Sequence, residues 1–462
     1  MNNKIQNPKF KIQTNFKFQI FLVFLFFLVI RLFPYINNSV PTGYDAGLYL
    51  LNFKTFPNIP DWVRLGFAPG LYAAVYLMIK LGVSPESTLI PLSIFSQIFL
   101  FFSLYFVVKK LFGEKTALAT SFIFTVSAIQ FRTFWYFYVN NTFGLAFLLL
   151  SIYFFTKKSL FPACLLAILT GLFHLPTFLI LFLIIVVETV FNTHDRWFYL
   201  KSLFLILAVS GLYYLPVFRQ TLQPFFRPLW RSTLAVRLAT KTLAPSYGGA
   251  FYSLKISFLL VAFYLPLALF GLIKKKANKR LFIIGLIITA LIVLTKFSFY
   301  QRFMIPLDIF LILLAGIGLK DLDFLKFYLF LLLIFIIGFI IKTSSPLINK
   351  SLLTEIKIFG KNHQQGFILA TAREDPSWLM GYTDLSVISQ GFGSEDRYWK
   401  NDQWQKFYSS SSGERKIELL KKLPQPLYIF INDRYLGTFD WIKDRLCFAP
   451  QTLHFYQFIC RD

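Results

Sequence analysis

Acidic residues are scarce in this chain, where 22 Asp and Glu stand against 47 Lys and Arg and the formal net charge is +25. In a soluble protein such an excess of positive charge would indicate binding to nucleic acid. Here the basic residues lie mainly between long apolar runs. They are therefore interpreted as determinants of membrane topology, with anionic membrane lipids as partners and no nucleic-acid partner.

Cysteine is also rare, with three residues in the whole chain, and no spacing typical of a metal site is present. Cys164 lies in an apolar run. Cys447 and Cys460 lie in the polar C-terminal region, where a disulfide and two free thiols are both open. The N-terminus lacks a small-residue cleavage site, so the first apolar run is predicted to be an uncleaved span that follows a cytoplasmic N-terminus.

Apolar residues are abundant, because 56% of the chain is hydrophobic and 19% is aromatic. Runs such as 20–30 and 329–341 are too long and too uniform for amphipathic helices of a soluble core. The sequence therefore predicts a mainly α, polytopic transmembrane helical bundle of about 11 spans. The spans are placed near 18–33, 86–108, 116–131, 141–156, 160–174, 176–191, 197–217, 254–273, 281–297, 303–319 and 325–342.

One apolar segment, 67–81, decides the topology of everything after it. At about 15 residues it is shorter than the roughly 20 that a helix needs to cross the hydrocarbon. If it lies in the interface instead, the later inner loops receive more Lys and Arg, as the positive-inside rule requires. This choice makes 34–85 the first outer loop and 218–253 a second, basic outer loop.

The composition changes after residue 342. The tail is polar, is rich in Trp, and contains strand-like runs at 366–370 and 427–431. These features predict two domains: a membrane-embedded catalytic domain over 1–342 and a small α/β extracytoplasmic domain over 343–462.

Asp45 is the candidate catalytic residue, within the first outer loop at 43–49 (GYDAGLY). A carboxylate just outside a span, between glycines that would let a substrate approach closely, can accept a proton from an attacking hydroxyl or hold a divalent cation. The same residues are also typical of a turn. Tyr44 and Tyr49 flank this position and are candidate substrate-binding residues.

Three further polar side chains are predicted on the same outer side. Arg302 lies where a span begins, so its guanidinium can bind a phosphate at the headgroup level or can simply extend toward water. Arg132 and His174 are also candidate substrate-binding residues, although a structural role for the histidine is equally open. Asp308 lies within a predicted span, where an acid is a functional candidate or pairs with a nearby cation.

The basic outer loop departs from the positive-inside rule. Its arginines, among them the candidate substrate-binding residues Arg227 and Arg231, alternate with aromatic and aliphatic residues. This pattern suits an interfacial helix that contacts phosphate headgroups, and it equally suits an ordinary anchor at the bilayer surface.

Five motifs together resemble the GT-C superfamily of membrane glycosyltransferases, which includes the dolichyl-phosphate-mannose and arabinose transferases. They lie at 43–49 (GYDAGLY), 68–82 (APGLYAAVYLMIKLG), 109–113 (KKLFG), 140–144 (NNTFG) and 301–316. The resemblance covers 18–342. It implies a multi-span core, juxtamembrane helices in the first outer loop, and a polyprenyl-phosphate-linked or polyprenyl-diphosphate-linked sugar as donor. It also implies that Asp45 is the catalytic carboxylate and that Arg302 stabilises the departing phosphate.

The chain departs from the family in two places. Many metal-dependent members carry a second acidic motif in the next outer loop, but 131–141 contains no acid, so no cofactor is certain and a divalent cation stays open. The tail has no tryptophan-rich motif of the oligosaccharyltransferases, and 378–384 (WLMGYTD) resembles one only faintly.

The predicted function is therefore transfer of a sugar, a hexose or a pentose, from a polyprenyl-phosphate carrier to a glycan, lipid or protein acceptor. The protein would lie in the plasma (inner) membrane and act at its extracytoplasmic face. One alternative is a polymerase or ligase of lipid-linked glycans that relies on Arg227, Arg302 and His174. Another is a transporter or flippase without transferase activity.

Overall fold

The computed structural model describes residues 16–36, 38–43, 45–58, 68–215, 251–274, 277–297, 300–319, 325–372, 374–390, 398–442 and 446–460. Three candidate substrate-binding residues, Tyr44, Arg227 and Arg231, lie outside these ranges, as does nearly all of the predicted basic loop.

The N-terminal part is helical. Its helices are α1 (Phe16–Leu32), α2 (Ala46–Thr55), α3 (Gly70–Lys80), α4 (Leu89–Phe112), α5 (Glu114–Val126), α6 (Ala128–Trp135), α7 (Val139–Thr156), α8 (Leu160–Phe173), α9 (Leu175–Phe191), α10 (Arg196–Tyr214), α11 (Leu254–Val261), α12 (Leu265–Ile273), α13 (Arg280–Leu294), α14 (Met304–Leu319) and α15 (Leu325–Thr343).

Every predicted span coincides with an apolar helix or with a bent pair of helices. Among the described residues, four helical segments are long and apolar enough to cross a membrane by themselves, and six if each bent pair counts as one span. The other apolar helices outside the bent pairs have 10–17 residues, when α15 is counted over Leu333–Thr343. The polytopic helical bundle is therefore confirmed, while several of its members are shorter than a full hydrocarbon width.

The two bent pairs have local causes. Helices α5 and α6 meet at 55°, and the Ser127 hydroxyl at their junction accepts a hydrogen bond from the backbone N–H of Gln130, which starts a new helix. Helices α11 and α12 meet at 68°. Pro266 lies in the first turn of α12, and it cannot donate the backbone hydrogen bond that would continue α11.

Helix α3 occupies most of the ambiguous segment 67–81. Its 11 residues extend about 16 Å at 1.5 Å per residue, roughly half of the hydrocarbon thickness. Leu71 and Val75 are buried against the protein, whereas Leu77 and Leu81 on other faces are exposed. This arrangement agrees with a helix that lies at the membrane interface.

The C-terminal part is the predicted small α/β domain. It contains helices α16 (Lys350–Asn362), α17 (Pro376–Tyr382), α18 (Asn401–Ser409) and α19 (Gly413–Lys421) and strands β1 (Phe367–Ala370), β2 (Ser386–Ile388), β3 (Leu427–Phe430), β4 (Phe448–Pro450) and β5 (Phe455–Phe458). The strand order is β2-β1-β3-β5-β4, parallel from β2 to β3 and antiparallel from β3 to β4. Cys447 and Cys460 form a disulfide.

This domain packs directly on α2, the helix that follows Asp45. A Cβ atom at Gly47 would lie 2.0 Å from the Ser377 carbonyl oxygen, and one at Gly381 would lie 2.3 Å from the Gly47 carbonyl oxygen. The Lys54 ammonium donates to the Gly381 carbonyl at 2.8 Å. The backbones of α2 and α17 therefore touch where both helices carry glycine.

Gly47→Ala is expected to weaken this contact. The added methyl group overlaps backbone atoms that cannot rotate away, and overpacking of this kind lowers the free energy of unfolding by about 1–3 kcal/mol. Limited proteolysis of the detergent-solubilised protein should cleave the C-terminal domain faster in the variant. Gly211→Ala, where no atom lies within 4 Å of the new Cβ, is the matched control. Equal cleavage of both variants would contradict the close contact.

Candidate functional site

Asp45 immediately precedes α2, and its backbone is hydrogen-bonded to the turn between α6 and α7. Its backbone N–H donates to the Tyr136 carbonyl at 3.4 Å. Gly43 has a φ of +90°, and a Cβ there would lie 2.1 Å from the Trp135 carbonyl oxygen. Gly43 and Gly47 therefore allow close contact with neighbouring backbone. The sequence predicts instead that these glycines allow a substrate to approach.

The Asp45 carboxyl group has a higher pKa than an ordinary aspartate. Burial raises its pKa to about 6, although the positive charge of Arg302 acts in the opposite direction. No hydrogen bond from a described residue contributes to this pKa. The residue as a whole is partly exposed. Such a group is ionised at neutral pH and accepts a proton more readily than an ordinary aspartate, as a general base requires.

Arg302 lies in the loop before α14 and faces the same site. Its guanidinium carbon is 4.7 Å from the centre of the Tyr138 ring, and its Nε is buried without a hydrogen-bond partner among the described residues. Its positive charge acts on the Asp45 carboxyl group and opposes the rise in pKa that burial causes. A guanidinium with an unused donor, partly exposed beside a carboxylate, is suited to bind a phosphate.

His174 joins α8 to α9 in the same neighbourhood. The backbone N–H of Thr177 donates to its Nδ1 at 3.3 Å, so the hydrogen of the neutral ring belongs on Nε2. Burial, and then the charge of Arg302, lower the pKa of His174 to about 3. The ring is therefore neutral at physiological pH, and Nε2–H is a hydrogen-bond donor rather than an acid.

Tyr49 lies one helical turn after Asp45, but its hydroxyl is already engaged. It accepts the backbone N–H of Asn140 at 3.1 Å, and its ring packs 5.9 Å from Tyr72 and 5.6 Å from Phe137. The side chain is buried. Tyr49 therefore holds α2 against the start of α7 beneath the site.

Arg132 occupies an aromatic cage on α6. Its guanidinium carbon lies 3.8 Å from the centre of the Trp135 ring, 4.5 Å from that of Tyr136 and 5.2 Å from that of Tyr252. The Tyr136 ring in turn stacks at 5.3 Å on Tyr138, the ring beneath Arg302. Cation–π contacts of this kind hold the guanidinium in place. Arg132 therefore stabilises Tyr136, whose ring packs on the Tyr138 ring that contacts Arg302.

The structure brings three predicted residues together, Asp45, His174 and Arg302, at the end of the bundle that carries the C-terminal domain. It adds Tyr136, which holds the Asp45 backbone, and Tyr138, which supports Arg302. Sequence reasoning missed both tyrosines. The aromatic run 134–138 (FWYFY) was the available signal, but such a run is equally typical of a membrane interface.

The described residues around Asp45 do not fit a divalent cation well. Mg²⁺ and Mn²⁺ prefer several oxygen ligands, and within the described ranges no group of three His, Cys, Asp or Glu residues could hold a metal. The charged neighbour whose field reaches Asp45 is the cation Arg302. The positive charge that acts on Asp45 among the described residues is therefore that of a guanidinium.

The fold is similar to that of solved membrane enzymes, although the sequences are distant. ArnT from Cupriavidus metallidurans in the apo state has a TM-score of 0.59 and 11% identity over 96% of this chain and 98% of its own. The same protein bound to undecaprenyl phosphate has a TM-score of 0.57 and 12% identity over 95% and 97%.

The oligosaccharyltransferase of Archaeoglobus fulgidus, solved with zinc and sulfate, has a TM-score of 0.50 and 12% identity over 92% of this chain and 69% of its own. No protein-family model matches the sequence, and no curated protein matches it. These likenesses confirm the GT-C fold that the motifs predicted.

Proposed function

We propose that this protein is a membrane glycosyltransferase that moves a sugar from a polyprenyl-phosphate carrier to an acceptor hydroxyl. The observation that carries the proposal is a basic carboxylate, Asp45, beside a partly unpaired guanidinium, Arg302, in one site of a GT-C fold. The polyprenyl donor is supported by ArnT, a protein of the same fold that was solved with undecaprenyl phosphate. The acceptor can be a glycan, a lipid or a protein.

The site supplies what such a transfer requires. The acceptor hydroxyl lies against Asp45, which takes its proton as the oxygen attacks the anomeric carbon of the sugar. The bond from that carbon to the phosphate oxygen breaks, and the polyprenyl phosphate leaves with the electron pair. Arg302 stabilises the charge that develops on the phosphate, while the Nε2–H of His174 donates a hydrogen bond to the sugar or the phosphate. Attack opposite the leaving group inverts the anomeric configuration.

The proposed orientation follows from the distribution of Lys and Arg. It places the N-terminus in the cytoplasm, the chain in the plasma membrane, and the Asp45 site with the C-terminal domain at the extracytoplasmic face. Because α17 covers α2, the C-terminal domain would close the site from above. Labelling of single exposed cysteines on either side of sealed vesicles tests this orientation. A C-terminal domain labelled only from the cytoplasmic side would contradict it.

The rate should depend on pH through Asp45. Because the general base must be ionised and its pKa is raised to about 6, kcat/KM should fall about tenfold per pH unit below that value. An unperturbed aspartate would keep the rate constant down to about pH 4. The measurement is the initial rate between pH 4.5 and 8 at low donor concentration, with protein stability followed in parallel. A flat profile down to pH 4.5 would contradict the assignment.

The direct test of function uses purified protein in liposomes with an undecaprenyl-phosphate hexose or pentose and membrane extract as the source of acceptor. The expected result is release of undecaprenyl phosphate that depends on both donor and extract. Movement of the lipid across the bilayer without its release would instead favour a flippase.

A further inference from the structure

Asp308 is a buried carboxylate in the first half of α14, six positions after Arg302. It accepts hydrogen bonds from the Ser127 hydroxyl at 2.9 Å and the Gln130 side-chain amide at 2.8 Å, and a third from the Tyr264 hydroxyl. Its side chain has no exposed surface. All three partners are neutral, so Asp308 is held by hydrogen bonds and not by the nearby cation that the sequence suggests as its partner.

These partners come from the two broken helices. Ser127 is the residue at which α5 bends into α6, and Tyr264 immediately precedes α12 after the bend from α11. An intramembrane acid is costly unless it is fully hydrogen-bonded. One carboxylate on α14 therefore hydrogen-bonds to residues at both bends.

The bonds to α6 lead directly to the reacting groups. Gln130 also donates to the Ile305 carbonyl of α14 at 3.2 Å. Helix α6 ends at Trp135, and the next residue provides the carbonyl that holds the Asp45 backbone. At the other side of this contact, α14 begins two residues after Arg302. The contact between α6 and α14 thus connects the support of Asp45 to the support of Arg302.

We propose that Asp308 is a positioning residue that sets the separation between Asp45 and Arg302 through its bonds to α6. This inference rests on the proposed function and adds to it a buried residue that acts through the helices rather than on the substrate. A displacement of about 1 Å between reacting groups can reduce a rate by about 100-fold. Tyr264 precedes α12, and its hydroxyl also lies 3.4 Å from the Ser127 hydroxyl, but Gln130 still joins α6 to Asp308 and to the Ile305 carbonyl when the Tyr264 hydroxyl is removed.

The test compares variants that cut different bonds to the same carboxylate. Asp308→Leu and Gln130→Leu uncouple α6 from α14 and should lower kcat by about 10- to 100-fold. Their affinity for undecaprenyl phosphate alone should stay within about threefold of the wild type, because Arg302 belongs to the α14 side of the contact. Tyr264→Phe should lower kcat less than Gln130→Leu does, because it leaves both Gln130 bonds to α14 in place. If Asp308→Leu does not fold, Gln130→Leu carries the comparison.

Glu188→Gln is the matched control for loss of a buried acid. Glu188 lies on α9 and forms an ion pair with Arg280 at 2.7 Å. It is 14 residues from His174, or about 21 Å along the helix axis. It should lower the melting temperature and leave kcat unchanged.

Two results would overturn the inference while the proposed function stands. One is a Gln130→Leu variant with the kcat of the wild type. The other is a loss of kcat in all four variants that follows melting temperature and is matched by loss of lipid binding, which would indicate a purely structural role. A wild-type protein that binds the lipid but transfers no sugar would overturn the proposed function itself.

Discussion

Asp45→Asn should abolish sugar transfer while the protein still binds its donor. The amide has nearly the shape of the carboxylate but cannot accept the proton of the acceptor hydroxyl, and loss of a general base costs typically 10²–10⁴-fold in rate. The site should tolerate the amide, because burial and the charge of Arg302 set the pKa of Asp45 and no hydrogen bond from a described residue contributes to it. The amide NH₂ group therefore replaces an oxygen without opposing such a donor. The measurement is release of undecaprenyl phosphate at saturating donor, together with donor affinity in the absence of acceptor.

Asp384→Asn is the control, since Asp384 is exposed in the C-terminal domain. This variant should transfer sugar at the wild-type rate. The informative comparison is with His174→Ala and Arg302→Gln. If those two variants are inactive and Asp45→Asn transfers normally, the protein uses arginine and histidine as a glycan polymerase or ligase would, and the role given to Asp45 is wrong.

Arg302→Gln should remove the affinity for the carrier phosphate and slow the chemical step. A guanidinium that neutralises developing charge in a water-excluded site is worth about 10²–10³-fold in rate, and its contribution to binding adds to this in kcat/KM. Arg302→Lys should recover only part of the loss, because an ammonium cannot make the paired hydrogen bonds of a guanidinium. The measurements are kcat/KM and the affinity for undecaprenyl phosphate.

The same substitution should change the pH profile in a direction that follows from the electrostatics. Arg302 lowers the pKa of Asp45 against the effect of burial, so its removal should raise that pKa above about 6 and shift the acid limb to higher pH. Arg415→Gln, at an exposed position of α19, controls for loss of one positive charge. Unchanged lipid affinity in Arg302→Gln would contradict the assignment.

The architecture was predictable because its determinants are local in sequence. Uniform apolar runs predicted the membrane helices, and the change to polar, strand-like sequence after residue 342 predicted the small α/β domain. The shortness of 67–81 predicted a helix that does not span, and α3 agrees with this. Asp45 and Arg302 could be selected because each charged residue lies beside an apolar run, where charge is unusual.

The support of the site could not be predicted, because it depends on contacts between residues far apart in the chain. Ser127 and Asp308 are separated by 181 positions, and the C-terminal domain reaches α2 through Lys54 and Gly381, which are 327 positions apart. No periodicity or motif encodes such pairs. The same limit explains the interpretation of the glycines around Asp45, whose neighbours are backbone atoms of α17 and of the turn after α6.

A structure of the Asp45→Asn variant with an undecaprenyl-phosphate sugar tests the central claim most directly, since this variant should hold the donor without consuming it. The phosphate should lie within hydrogen-bonding distance of the Arg302 guanidinium, with the anomeric carbon between it and residue 45. A phosphate bound elsewhere, for example beside the Arg132 cage, with the sugar turned away from residue 45, would contradict the proposed site.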